Sequence, residues 1–180
     1  YDAWVVKIDS TGNLLWQKNL GGMLNDGFSA SVQQTIDGGY IVAISSGSFD
    51  GILSCNHGIA TSECFVAKLD GQGNYLWGNC LGGSNGDNPS KILLIDDGSF
   101  IIGAGTTSND GDVTGLNGPS DFWLVKTDSL ASLQWQKCFG GSSYEALHSI
   151  KKTSDGGFIL TGSSESNDSP AFCNNSTWYH

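Results

Sequence analysis

The sequence predicts an all-β protein, and three features of its 180 residues support this prediction. Short runs rich in β-branched and aromatic residues, such as AWVVKID at 3–9, have the composition of strands. The 26 glycines and only 3 prolines suit many tight turns between short strands. Helical periodicity is weak throughout, because Gly, Ser, Thr and Asn interrupt the apolar positions.

One sequence pattern occurs three times, as DAWVVKIDSTGNLLW at 2–16, ECFVAKLDGQGNYLW at 63–77 and DFWLVKTDSLASLQW at 121–135. The spacing is 61 residues from Asp9 to Asp70 and 58 residues from Asp70 to Asp128. This period predicts three repeat units, residues 1–61, 62–119 and 120–180. The alignment extends through a Gly-Gly pair and an Asp-Gly turn, and its other shared positions are Trp4, Phe65 and Trp123; Trp16, Trp77 and Trp135; and Asp26, Asp87 and Glu145.

Each unit is expected to hold four antiparallel strands. In the first unit, AWVVKID and LLWQKNL flank the turn STGN, and SVQQTI and YIVAIS flank the turn DGG. Four short strands repeated with this period are typical of the blades of a β-propeller. A β-sandwich does not need such a period, and the coil of a β-solenoid is normally shorter. We therefore expect every unit to be one four-stranded blade.

The repeated residues have structural explanations in this fold. The aromatic positions would pack between neighbouring blades, and Asp9, Asp70 and Asp128 would cap the turns that follow them. Three blades leave two open edges, whereas propellers close with about four to eight blades. The chain is therefore expected to be a partial propeller or to be closed by association, with two copies making six blades. Of the two, the excerpt of a longer protein is preferred.

The formal charge of −10 excludes several kinds of partner. Such a chain repels phosphate backbones, so nucleic acid and anionic membranes are poor partners. No apolar run approaches the roughly 20 residues of a membrane-spanning helix.

The units resemble the propeller repeats of large bacterial secreted proteins, many of which are cargo of type IX secretion. The resemblance rests on D-x-W-V-V-K-x-D-x-x-G-N-x-x-W, followed by G-G and D-G-G-Y, and it covers the whole chain. The second unit departs at Phe65 and Ser99, and the third has Ala131-Ser132 in place of Gly-Asn. The resemblance implies a secreted or cell-surface protein that serves as a scaffold or binding surface, with no assigned reaction.

One loop has the spacing of a calcium-binding loop. In DGDVTGLNGPSD, residues 110–121, the candidate ligands are Asp110, Asp112, Thr114 and Asp121, with Gly115 at the sixth place. Asp replaces the usual bidentate Glu, and no helices flank the loop. A calcium site and an Asx-rich turn that needs no metal both remain open, and no other cofactor is expected.

The cysteines suggest one disulfide. Cys55 and Cys64 bracket a connecting loop, which a disulfide could close in an oxidising compartment. Cys173 aligns with Cys55, and its counterpart would fall beyond residue 180. Cys80 and Cys138 are expected to be small buried residues.

No motif of a known catalytic site selects particular residues. We therefore expect a non-enzymatic extracellular propeller segment that serves as a scaffold or binds protein or glycan through its loops. The alternative is part of a glycan hydrolase or lyase whose acidic residues converge on the propeller axis.

Overall fold

The structure is a computed structural model, and it describes residues 1–57 and 61–168. Within these ranges the chain forms β-strands joined by turns and loops, with one short 3₁₀ helix at Gly51–Leu53. The strands are β1 (Ala3–Ile8), β2 (Leu14–Leu20), β3 (Asp26–Gln34), β4 (Tyr40–Ser46), β5 (Glu63–Leu69), β6 (Tyr75–Leu81), β7 (Asp87–Leu94), β8 (Phe100–Thr106), β9 (Asp121–Thr127), β10 (Leu133–Phe139), β11 (Glu145–Lys152) and β12 (Phe158–Ser164).

The described strands form four antiparallel sheets that stack in chain order. Two sheets have four strands, in the orders β3-β4-β5-β6 and β7-β8-β9-β10. The other two are the hairpins β1-β2 and β11-β12, which lie at opposite ends of the stack. The predicted all-β class is therefore confirmed.

The expectation that the four strands of one repeat form one sheet is wrong. Each four-stranded sheet combines the second hairpin of one repeat with the first hairpin of the next repeat. Strand β4 pairs with β5 from Tyr40 opposite Leu69 to Ser46 opposite Glu63. The sheets change instead at the loop between β2 and β3, so they are offset from the repeats by half a unit. The repeat boundaries themselves stay a prediction from the sequence.

Three apolar clusters fill the spaces between successive sheets. The first, with Leu20 and Phe65, joins the hairpin β1-β2 to its neighbour, and the second, with Ile41 and Trp123, joins the two four-stranded sheets. The third, with Ile150, joins the hairpin β11-β12 to the stack. Successive side chains of a strand point to opposite faces, so each central strand contributes to two of these clusters.

The repeated aspartates cap the hairpin turns as expected. Asp9 Oδ1 accepts hydrogen bonds from the backbone N–H groups of Thr11 and Asn13, both at 2.9 Å. Asp70 and Asp128 make the equivalent bonds in the next two repeats. In the third turn Ala131 takes a positive φ of 61°, at the place that glycine occupies in the other two.

Trp16 of the first repeat contacts the turn of the second repeat. Trp16 Nε1 donates to the carbonyl oxygen of Gly71 at 3.1 Å. A Cβ atom at Gly73 would lie 2.7 Å from the Trp16 ring, so glycine permits this close contact.

In the part of the chain that the structure describes, no helix is long and apolar enough to cross a membrane.

Candidate binding surface

The two ends of the stacked strands differ in their connections. One end carries the tight turns, and we call it the turn end. The opposite end carries the connections between sheets and two long loops, and we call it the loop end. The turns span 9–13, 35–39, 70–74, 95–99, 128–132 and 153–157. The connections between sheets span 21–25, 82–86 and 140–144, and the long loops span 47–62 and 107–120.

A buried carboxylate fixes each connection where the chain passes from one sheet to the next. Asp87 is fully buried at the start of β7, and its oxygens accept hydrogen bonds from Thr106 Oγ1 at 2.5 Å and Ser108 Oγ at 2.8 Å. The backbone N–H of Gly83, in the connection itself, donates to Asp87 at 2.8 Å. Burial raises the pKa of Asp87, although these three donors favour its ionised form.

The same arrangement occurs in all three repeats, and we call it the carboxylate clamp. Each clamp consists of one buried acid, two hydroxyls and one glycine N–H. Its members are Asp26 with Ser46, Ser48 and Gly22; Asp87 with Thr106, Ser108 and Gly83; and Glu145 with Ser164, Ser166 and Gly141. Burial opposes ionisation of Glu145, but the hydrogen bonds from Ser166 and Ser164 hold its pKa below the usual value.

A second carboxylate completes each clamp from the following connection. Asp50, Asp110 and Asp168 accept the backbone N–H groups of Met23, Ser84 and Ser142 at 2.9, 2.7 and 3.0 Å. The sequence contains a signal for this feature that our sequence analysis missed. It is the pattern [ST]-x-S-x-D, present as SGSFD at 46–50, TTSND at 106–110 and SESND at 164–168.

Another buried acid lies beside the clamp at the start of β5 and of β9. Glu63 accepts the backbone N–H of His57 at 2.9 Å, and the His57 ring Nδ1 lies 2.9 Å from it. Asp121 accepts the backbone N–H of Asn117 at 2.9 Å, so His57 and Asn117 take equivalent places. Burial raises the pKa of Glu63, and the hydrogen bond to this carboxylate raises the pKa of His57.

These acids form close pairs that are structural in character. A Cβ atom at Gly82 would lie 2.4 Å from an Asp87 oxygen and 2.5 Å from a Glu63 oxygen, so the two carboxylates meet at this glycine. Both acids are fully buried, and donors of the chain itself occupy them. A glycosidase needs paired carboxylates that a substrate can reach. This geometry gives no such access.

The four predicted calcium ligands take part in separate hydrogen bonds. Asp110 accepts from Ser84, and Asp112 accepts the N–H of Gly82 at 3.2 Å. Thr114 Oγ1 accepts a hydrogen bond from the side-chain amide of Gln136. Asp121 accepts hydrogen bonds from the backbone N–H groups of Asn117 and Gly118. Among the described residues, no group of three or more His, Cys, Asp or Glu side chains is placed to hold a metal ion. Calcium binding by this loop stays an untested prediction, which the geometry does not support.

The predicted disulfide between Cys55 and Cys64 is wrong. Cys55 is bonded to Cys80, with their Cα atoms 5.5 Å apart. The reason is the alternation of side chains along β5. Cys64 points into the cluster between the two four-stranded sheets, whereas Cys80 lies opposite Phe65 on the other face, where Cys55 also packs.

The cysteines outside the disulfide have different surroundings. Cys64 is fully buried, and burial raises its thiol pKa. Burial also raises the pKa of Cys138 to about 12, so neither thiol is a ready nucleophile. Cys173 lies outside the described residues.

Large apolar side chains are exposed on the loop end at positions that do not repeat. Met23 and Phe49 are both exposed, and the residue after Phe49, Asp50, accepts the backbone N–H of Met23. The other repeats carry serine in place of Met23 and asparagine in place of Phe49. These two side chains therefore do not serve the repeat, and they are our candidate binding residues.

The loop end is also acidic. The described residues of its connections contain no lysine or arginine, and His57 is the only basic-type side chain among them. Asp50, Asp110 and Asp112 lie in the same connections. A partner for this surface is therefore neutral or basic, and phosphate groups are disfavoured.

Comparison with protein-family models finds no match for the chain, and comparison with curated proteins also finds none.

Proposed function

We propose that the chain is a segment of an extracellular β-propeller that serves as a non-catalytic scaffold and binds protein or glycan at its loop end. One observation carries this proposal. The polar side chains that recur in every repeat are occupied in the clamps, whereas exposed apolar side chains occupy loop positions that vary between repeats. Residues of the first kind build the frame, and residues of the second kind are free to recognise a partner.

The contacts between successive sheets support a propeller. In each four-stranded sheet the first strand lies at one edge, and these edges contact one another from sheet to sheet. The N–H of Ile92 on β7 donates to Ser31 Oγ on β3 at 3.1 Å, and Ser90 Oγ on β7 donates to the carbonyl oxygen of Leu147 on β11 at 2.7 Å. Stacked meander sheets whose first strands adjoin are the arrangement of blades around an axis.

Two observations support a location outside the cell. The bond between Cys55 and Cys80 requires an oxidising compartment to persist. The repeats also resemble those of bacterial secreted proteins. Both observations agree with a secreted or surface-attached protein.

The apolar pair on the loop end suits a glycan or a protein better than a small anionic ligand. An aromatic face such as that of Phe49 can stack against the apolar side of a sugar ring, and Met23 is flexible enough to adapt to a partner. The acidic surroundings then favour a neutral glycan or a basic protein surface.

The test uses substitutions that the repeats themselves supply. In the variant Met23→Ser/Phe49→Asn, each residue is changed to the one that the other repeats carry, so folding should be preserved. Glycan and protein arrays are probed with the native chain, and the affinity for each ligand found is then compared with that of the variant. We expect a loss of about tenfold or more.

The control is Ile36→Ser, because Ile36 is 98% exposed on the turn end, away from the candidate surface. It should bind as the native chain does. Absence of any ligand on the arrays would refute the binding role. Equal binding by the native chain and the loop-end variant would refute the assigned surface.

A further inference from the structure

One face of β1 is exposed although the equivalent faces of inner strands are buried. Trp4 is 66% exposed, whereas Phe65 and Trp123, at the same place in β5 and β9, are fully buried. Val6 and Ile8, on the same face of β1, are exposed as well. In the inner sheets this face packs against the preceding sheet, and among the described residues no sheet precedes the hairpin β1-β2. Strand β1 also lacks, among the described residues, the paired strand that β4 provides to β5 and β8 provides to β9.

The opposite end of the stack also exposes apolar side chains that are buried in the inner sheets. Ile159 on β12 is 57% exposed, whereas its equivalents Ile41 and Ile101 are fully buried. Phe139 on β10 is also exposed, whereas its equivalents Leu20 and Leu81 are buried. Within the described residues strand β12 pairs with β11 alone, and no other described strand lies along its second edge.

Each end carries the half-sheet that the other end lacks. The hairpin β11-β12 is equivalent to β3-β4, and the hairpin β1-β2 is equivalent to β5-β6. We propose that two copies of the chain associate head to tail, with β12 of each copy pairing antiparallel with β1 of the other. Each junction then forms a four-stranded sheet in the order β11-β12-β1-β2.

The inner sheets define the register of this junction. Strand β4 pairs with β5 so that Ile44 lies opposite Phe65, and β8 pairs with β9 so that Ala104 lies opposite Trp123. At the junction the same alignment places Gly162 of one copy opposite Trp4 of the other. The large indole thus faces the residue with no side chain, and it would pack beside the Phe122 ring, which lies over Gly162 in its own chain.

The Trp4 side chain already has the orientation that the junction needs. Its Nε1 donates to Gln17 Oε1 at 3.1 Å, and the buried Trp123 makes the same bond to Gln136 at 3.0 Å. The indole is therefore held in place before a partner arrives, which lowers the entropy lost on association.

A second contact would form at the turn end of the junction. Trp16 Nε1 donates to the carbonyl oxygen of Gly71 in the next repeat and packs over Gly73. By the same rule Trp135 of one copy would donate to Ser10 of the other and pack over Gly12. A Cβ atom at Gly12 would have no neighbour within 4 Å in the single chain, so this surface is free.

A second copy is the occupant that satisfies both ends together. One copy supplies the strand missing beside β1 and the strand missing beside β12, in a single registered arrangement. The pair would contain six four-stranded sheets, with the open edges of β1 and β12 paired, within the usual range of about four to eight blades. Further repeats of a longer chain could also fill one edge, and the experiments below separate the two cases.

The first experiment measures the register with disulfides between copies. Position 5 lies opposite position 161 in the proposed junction, so Val5→Cys and Thr161→Cys chains are mixed under mild oxidation. Cys138→Ser and Cys173→Ser are present in both, and Cys64 is kept because it is fully buried. We expect mainly a disulfide-linked dimer of one chain of each kind. The control pairs Lys7→Cys with Thr161→Cys, two residues out of register on the same face, and should give only traces. Equal yields from the two mixtures would overturn the proposal.

The second experiment measures mass in solution by light scattering. The native chain should have the mass of two chains, and Trp4→Lys should shift it to that of one chain with an unchanged far-UV circular dichroism spectrum. The matched control is Leu15→Lys. Leu15 is 55% exposed and its inner equivalent Leu76 is 53% exposed, so this position lies outside the junction.

Three outcomes would count against the proposal: a native chain that is monomeric at all concentrations, filaments instead of dimers, or an equal effect of the two lysine variants. A monomer would leave the edges to further repeats of a longer polypeptide. Neither experiment involves a ligand, so the binding function of the loop end is tested separately.

Discussion

The substitution Asp87→Ala tests whether the carboxylate clamp holds the sheets together. The change removes one acceptor from three donors, namely Thr106 Oγ1, Ser108 Oγ and the Gly83 N–H. Asp87, which accepts these three hydrogen bonds, is fully buried from solvent. The equivalent clamp at Asp26 makes the same bonds and remains intact in this variant.

The expected cost follows from the donors that lose their acceptor. A buried donor left without a partner costs about 1–3 kcal/mol. Rotation of the two hydroxyls and entry of water recover part of this cost. Burial also raises the pKa of Asp87, so removal of the acid relieves some unfavourable desolvation. We therefore expect Asp87→Ala to lower the free energy of unfolding by about 3 kcal/mol.

The assay is urea unfolding, followed by the fluorescence of the 6 tryptophans at a fixed protein concentration. Asp96→Ala is the control, because the Asp96 side chain is 92% exposed and makes only a surface ion pair with Lys152. The free energy of unfolding of Asp87→Asn should lie between those of the two alanine variants. An asparagine side chain keeps one acceptor oxygen, but its NH₂ group replaces the other acceptor with a donor. If Asp87→Ala and Asp96→Ala unfold at the same urea concentration, the clamp does not stabilise the fold and our reasoning is wrong.

Three further predictions concern the same end of the molecule. Gly83→Ala should lower the free energy of unfolding in urea by about 2 kcal/mol or more, because its Cβ would lie 2.3 Å from an oxygen of Asp110. The control is Gly105→Ala, which should be nearly neutral because no atom lies within 4 Å of the added Cβ. Equal effects of the two variants would contradict the close approach between Gly83 and Asp110. Peptide mapping without reductant should find Cys55 joined to Cys80, and replacing both by alanine should cost about 3 kcal/mol in urea unfolding, since the bond closes a loop over a separation of 25 residues; any other pairing would contradict the structure. The free energy of unfolding of the native chain, relative to that of His57→Asn, should rise as the pH falls from about 8 to about 6. The reason is that the buried carboxylate of Glu63 raises the pKa of His57, so the stability that protonated His57 contributes is lost as the pH rises through that pKa. If urea unfolding shows the same difference between the two chains at every pH, the bond between His57 and Glu63 is contradicted.

The strands and hairpin turns could be predicted from sequence because local chemistry determines them. Alternating apolar residues mark β1 and β2, and the aspartate at position 9 predicts the turn between them through its bonds to backbone N–H groups. The partner of each hairpin could not be predicted in the same way. In a repeated sequence, β4 is followed by β5 as regularly as β2 is followed by β3, so periodicity does not say which connection continues the sheet.

The disulfide and the clamp hydroxyls were missed for a different reason. Cys64 is nearer in sequence to Cys55 than Cys80 is, but sequence distance ignores which face of a strand a side chain occupies. Once β5 and β6 are paired, Cys64 and Cys80 lie on opposite faces and only Cys80 can meet Cys55. The hydroxyls of Ser46 and Ser48 could not be singled out from the sequence, because serine is common in loops. Their role shows only when the structure places them beside Asp26.

The position of the clamps explains how half-repeat sheets can stack in a regular way. Each sheet-to-sheet connection is a short segment such as 82–86, whose glycines alone would leave the angle between sheets loosely fixed. The clamp acid stands at the first residue after this segment and binds its backbone, while the two hydroxyls come from the neighbouring strand and from the loop after it. Thus one buried carboxylate joins the incoming connection, the first two strands and the loop between the second and third strands of the same sheet. Because the carboxylate clamp recurs at residues 26, 87 and 145, the same bonds fix the position of every sheet on the previous one. The loop-end residues between the clamps can therefore vary without changing that geometry.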